Sequence, residues 1–476
     1  MPYSTIELPL ALKTIRDAQA FDNGIFSSLR GVLYGTYTIS PDIQGDQLNA
    51  SLDFGNRNGN PHRWGTSFQA DDGAITSGWQ GHYFMLKNVN FALDGYPKIA
   101  VSTSTDSARI ARYTGDALLA RAYIYFQLIN RYAKPYEPAT AATDPGVPLV
   151  LRYDPFFDRP GRATVQQIYN QILSDITQAK TLLAAIPGVQ GSTRFTIHSA
   201  KALEARVRLN MKDWAGAKTA AEDVISSGVY PLYTTSAGLL AMWRDDAVQE
   251  TIQQAFVSKP DELANTNAVY LGFIPASGKF APDFIPSQWV IDKYAVSDLR
   301  KNVYFAQKLC FIQGTNYPNI WLVNKYKGNP LLFTGANTNY QQAPKVFRVA
   351  ELYLIAAEAG ANIGGASEAA ALTRLNSLRV ARGLVALVGV SGVALMDEIK
   401  DERFRELAFE GFRLFDLKRW HMGFTRSAPQ NINMINVGPN YNTLSIPADH
   451  NKFVWGIPTN DITVNPGLFG QQNPGW

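Results

Sequence analysis

Three glutamates in one short stretch carry the most explicit chemistry in this chain. Residues 400–420 read KDERFRELAFEGFRLFDLKRW, and Glu402, Glu406 and Glu410 recur at i, i+4, which stacks them on one face of a helix. Two carboxylates flanking a glycosidic bond are the machinery of a glycosidase, so glycan hydrolysis is one reading. A general acid, however, needs a carboxyl group whose pKa is raised. Here Arg403, Arg405, Arg413, Lys418 and Arg419 surround the glutamates, and a neighbouring guanidinium favours the ionised form. The pattern fits a salt-bridge network locking a helix against its neighbours better than it fits acid catalysis.

Other reactive groups are sparse. Cys310 is the sole cysteine, which excludes an intramolecular disulfide and any Cys-based zinc or redox motif. The five histidines, His62, His82, His198, His421 and His450, include no i, i+4 pair of the kind a helical metal site uses. Neither a metal nor a cofactor is expected. Net charge is +4 with both signs interspersed, and no basic stripe interleaved with aromatics suggests a nucleic-acid partner. No apolar run approaches the roughly 18 residues of a membrane-spanning helix. Met1–Glu7 lacks the basic and then apolar regions of a signal peptide. That leaves a cytoplasmic chain or one numbered after a removed leader.

The elements that would position these groups are mostly helical. Apolar periodicity predicts helices over about 12–37, 79–93, 106–132 and 164–183, the last with Thr164 as N-cap and Gln167 three residues on. Residues 43–69 read as irregular, with Asn-Gly and Asn-Pro turn signals. Residues 199–227 read as a helical hairpin capped by Ser199 and turned at Lys212-Asp213. Ala205 and Ala217 sit where a tetratricopeptide repeat places small residues. Helical pairs at 115–183 and 349–382 extend this to a degenerate array. Between Val229 and Pro344 no helical period is sustained, and short strands are expected near 302–311 and 320–325. A span this long without helix is usually functional. The expected fold is thus mostly α: tetratricopeptide-like hairpins in an α-α superhelix, supporting a loop-rich region with a few short strands.

The 401–420 stretch resembles the C-terminal signature of the SusD/RagB family, and other pieces follow in that family's order. Residues 121–136 (RAYIYFQLINRYAKPY) resemble its long central helix and the Pro-Tyr after it, and 146–150 (GVPLV) its G-V-P-L segment. Residues 351–359 (ELYLIAAEA) and 375–379 (LNSLR) resemble its helix and L-N-x-I-R element. The ending, Ile457-Pro458, then 465–468 (NPGL) and 472–476 (QNPGW), resembles its terminal motif. Phe404 stands where many members carry an arginine, which implies a thinner ion-pair network.

The resemblance implies a non-enzymatic, outward-facing outer-membrane protein. Such a protein binds oligosaccharide, or for some members another nutrient, and lids a SusC-like TonB-dependent transporter. It would be held by an N-terminal lipid anchor that this sequence does not contain. Arg121, Glu406, Glu410, Arg413, Asp416 and Arg419 are carried over as structural residues. The expected division is a helical region at 1–228 and a region at 229–476 bearing the ligand face, together forming one unit. Pyranose rings offer apolar C–H faces to aromatic rings, and their hydroxyls need Asp, Asn, Gln or Arg partners. Trp64, Trp289 and Trp321 lie in loop segments, with Asp46, Asn49, Arg57 and Tyr270 nearby in sequence. These seven are the candidate ligand contacts. A glycan hydrolase and a tetratricopeptide scaffold for protein partners are the competing readings.

Overall fold

Small residues at helix crossings set the architecture. The computed structural model describes residues 11–154 and 159–476; the segment read above for a leader, Met1–Glu7, lies outside them. The 29-residue helix Ser104–Tyr132 begins where the Thr103 side chain accepts from the Asp106 N–H. Its Ala117, Ala120 and Ala122 are fully buried on more than one side of the helix. It packs between Gly73–Gly95 and Val165–Leu182. The predicted Thr164–Gln167 capping box is present. Arg121 locks this layer, donating to both Asp175 oxygens at 2.8 Å and to Asn90 at 3.2 Å.

A second hairpin, Ile197–Asn210 and Trp214–Ile225, turns at Lys212 with φ of 59°. Ala205 and Ala217 are both fully buried, which lets these two helices approach closely. Thr196, not Ser199, is the N-cap; Ser199 completes the capping box from inside the helix. A third pair, Val349–Ile363 and Ala366–Ala381, packs against the second. At Gly360 a Cβ would lie 3.1 Å from that of Ala371, so the crossing depends on glycine there.

Two stretches expected to be continuous helices are broken, and a third helix starts earlier than expected. Residues 12–37 break at Gly35 (φ 66°) into Ile15–Gly31 and Thr36–Gln44. The helix expected at 79–93 starts earlier, where Asp72 caps Gly73–Gly95. The carboxylate stretch is Gly392–Glu406 and Arg413–Arg419, interrupted by positive φ at Phe409 and Gly411. Glu410 therefore sits in a turn, not one helical turn after Glu406.

The loop-rich region carries short strands as expected. Phe305–Ile312 pairs antiparallel with Thr315–Val323 through a turn in which Gln313 and Gly314 both have positive φ, the geometry a two-residue hairpin loop demands. Inside the stretch read as irregular, Leu48–Ala50 forms a strand and Gly59–Arg63 a short helix. That strand pairs with Phe284–Pro286, matching Leu48 to Pro286 and Ala50 to Phe284. This pairing draws the first loop and the long central segment onto one face.

Candidate ligand-binding face

The glutamates of the C-terminal stretch are built for charge pairing. Glu406 is fully buried and accepts from Arg348 at 2.8 Å, from Arg382 at 2.9 and 3.0 Å, and from Arg300 at 3.1 Å. Burial raises its pKa, but the three guanidinium groups outweigh that and hold it well below the usual carboxylate range. Glu402 (held by Arg300 and Arg405) and Glu410 (held by Arg348 and Lys325) are lowered by the same balance. None can keep the proton a general acid must donate. Asp416 joins Arg403 and Arg419, and Arg419 reaches Glu358. Phe404 stays outside this network, with Trp289 at 5.0 Å and the Arg413 guanidinium at 4.9 Å from its ring.

The seven sequence-based ligand candidates divide sharply. Four are interior. Asp46 is buried as the partner of Arg413, at 2.7 and 3.0 Å. Asn49 is buried and donates to Ser287 Oγ at 2.8 Å. Tyr270 is fully buried beside Tyr326, its hydroxyl directed at Asp42. Trp64 donates to the Gln44 carbonyl at 2.7 Å and packs edgewise on Phe424 and Phe453. Trp64 also lines an open groove of about 1000 Å³, together with Phe68, His450, Lys452 and Trp476.

Arg57, Trp289 and Trp321 remain available. The Arg57 side chain is 59% exposed, and its Nε donates to Asp283 at 2.8 Å. Trp289 and Trp321 are half-buried and rest on the same apolar cluster as Tyr294, Phe305 and Phe404. The strand Phe284–Pro286 runs between Asp283 and Trp289, so the guanidinium and the indole sit at its two ends, within roughly 20 Å along the chain. Trp289 Nε1 is a buried donor with no acceptor among the described residues.

Several residues on this face escaped the sequence reading. Gln430 accepts from the Trp321 N–H and donates to the carbonyls of Trp321 and Pro286, all at 2.9 Å, so it ties the Trp321 strand to the segment leading to Trp289. Arg63 donates to Asn56 at 2.6 Å and Asn60 at 2.8 Å and lies 5.9 Å over the half-buried Tyr441 ring. Asp53 accepts from the Gln313 N–H at 3.0 Å, latching the hairpin tip to the first loop. Gln430 and Tyr441 belong to no motif and meet their partners only through the fold. The Asn-rich run around Arg63 was the one visible signal.

Among the described residues no helix is long and apolar enough to cross a membrane, and no cluster of His, Cys, Asp or Glu could hold a metal ion. The chain matches the SusD family over residues 306–476. It also matches a SusD-like family described as starch-binding and associating with the outer membrane, over residues 42–209. No curated protein matches it. Among solved structures it is similar to a SusD superfamily protein from Bacteroides thetaiotaomicron, with 24% identity and a TM-score of 0.81 over 97% of this chain and 100% of that one. A SusD superfamily protein from Bacteroides vulgatus gives 23% identity and 0.79 over 98% and 99%. A laminarin-binding SusD-like protein gives 19% and 0.68 over 98% and 100%. The mostly helical fold, the buried ion-pair signature and the family matches at both ends of the chain agree: this protein belongs to the SusD/RagB family, whose members are binding proteins and not enzymes.

Proposed function

We propose that the protein is a surface-exposed glycan receptor that captures oligosaccharide and delivers it to a SusC-like TonB-dependent transporter of the outer membrane. One observation carries the glycan part. Trp289 and Trp321, both half-buried on one apolar cluster, share a face with Arg57, Asp283 and Gln430. Indole faces suit the C–H surfaces of pyranose rings, while guanidinium, carboxylate and amide groups suit their hydroxyls. A solved relative of this fold described as laminarin-binding supports the ligand class, and the family description supports the outer membrane. In this reading an N-terminal lipid anchor holds the protein at the outward-facing surface. Residues 1–228 brace the ligand face, which is carried mainly by 229–476.

Titration calorimetry against a polysaccharide panel tests the reading. Saturable binding of at least one glycan, weakened in Trp289→Ala and Trp321→Ala, is the expected outcome. Absence of binding across the panel would favour a tetratricopeptide scaffold for protein partners instead.

A further inference from the structure

We propose that a partly open cavity of about 90 Å³, set between the end of helix Ser104–Tyr132 and the 403–419 segment, binds a small monoanion of chloride size through Arg131 and Arg403. The argument is one of charge and hydrogen-bond accounting inside a low-dielectric space. Arg131 is 2% exposed. It donates through Nη1 to the Gln127 carbonyl and side-chain oxygen at 3.0 and 2.6 Å, and through Nη2 to the Tyr37 carbonyl at 2.6 Å. All three acceptors are neutral. Its Nε has no acceptor among the described residues. Aromatic rings occupy its flanks, Phe415 at 5.3 Å and Trp455 at 5.8 Å.

Every other cation lining this cavity is paired. Arg206 holds Glu351 at 2.6 and 2.7 Å, Arg348 holds Glu406 and Glu410, and Lys345 holds Asp246 at 3.0 Å. Arg403 and Arg419 share Asp416, and Arg419 has Glu358 as well. Arg403 is 3% exposed and leaves Nη1 without an acceptor among the described residues. Among the described residues, the cavity wall thus carries one uncompensated guanidinium and two buried N–H donors without acceptors. Burying an unpaired charge is costly unless a counter-ion or hydrogen-bond partners compensate it. A space of this size exceeds what a single water needs and accommodates a halide with water beside it. Half-buried Gln127, Asn130 and Phe412 line the same space.

Two measurements test the site. In crystals grown or soaked in sodium bromide, anomalous diffraction should place bromide in the cavity within hydrogen-bonding distance of Arg131 Nε and Arg403 Nη1. In thermal unfolding at constant ionic strength, chloride is exchanged for gluconate, which is too bulky to enter. The wild-type protein should gain about 1 °C in Tm per tenfold rise in chloride relative to Arg131→Met. Water alone in the cavity, or the same chloride response in both proteins, overturns the proposal. If Arg131→Met does not fold, the bromide experiment on the unaltered protein decides.

Discussion

Arg382 grips Glu406 with two hydrogen bonds, Nε to Oε2 at 2.9 Å and Nη2 to Oε1 at 3.0 Å. Its Nη1 and Nη2 also reach the two oxygens of Glu250, both at 2.8 Å. All three side chains are fully buried. One guanidinium thus joins the helix Gly392–Glu406 to the segment before strand Thr251–Gln254 and, through its own position, to the end of helix Ala366–Ala381. The carboxylate whose arginine-rich surroundings already pointed to a salt-bridge network is a hub of the scaffold.

Removing that charge leaves three arginines facing a neutral amide. Glu406→Gln should lower unfolding stability by about 3–5 kcal/mol, the usual cost of breaking a buried ion pair from one side. Denaturant unfolding measures it, and an unchanged midpoint would contradict the structural role. Glycan affinity of the folded fraction should not change.

Asp42 gives a pH signature of opposite sign to the lowered glutamates. Burial pushes its pKa up to about 8, only partly offset by the Gly411 N–H, Lys325 and the Tyr270 hydroxyl. A group raised in the folded state contributes stability that is fully present below its unfolded pKa, near 4, and is lost as pH rises through about 8. Within that window each pH unit should cost the wild-type protein up to about 1.4 kcal/mol relative to Asp42→Asn. Tm profiles of the two proteins from pH 5 to pH 9 should converge on the acid side. Parallel profiles would show that Asp42 is ionised throughout.

The three tryptophans read as loop residues in the sequence, of which Trp289 lies in the short helix Gln288–Asp292 and Trp321 in the strand Thr315–Val323, should behave as two classes. Trp64→Ala should destabilise the fold by about 3–5 kcal/mol, because it empties a buried site and orphans the Gln44 carbonyl. Trp289→Ala and Trp321→Ala should each weaken glycan binding about tenfold or more. Trp476→Ala is the control for the groove beside Trp64; loss of affinity there, with none at Trp289 and Trp321, would move the site to that groove.

Legibility in the sequence followed the range of the interactions. Local signals, such as the Thr164–Gln167 box, the Ala205 and Ala217 crossing and the Lys212 turn, are written in residues a few positions apart, and the structure has them. The arginines around Glu402–Glu410 were visible, but the main partners of Glu406 are Arg300, Arg348 and Arg382, none of them in that stretch. The break at Phe409 and Gly411 was hidden behind good helical periodicity; a Cβ at Gly411 would lie 3.3 Å from the Cα of Thr38, a residue far along the chain. The site was least legible. Loop position does not determine exposure, and Asp46, Asn49, Trp64 and Tyr270 are drawn inward by the Leu48–Ala50 pairing and by partners far along the chain. Gln430 and Tyr441 arrive at the face from segments no pattern connects to it.

Binding without turnover is the central claim, and one assay reaches it directly. The protein is incubated with the glycan it binds in calorimetry, and new reducing ends are counted over many hours. The account predicts saturable binding, abolished in a Trp289→Ala/Trp321→Ala double variant, and reducing ends that never rise above the buffer control. A steady release of reducing ends that disappears in Glu406→Gln would contradict it, and would return the C-terminal glutamates to catalysis.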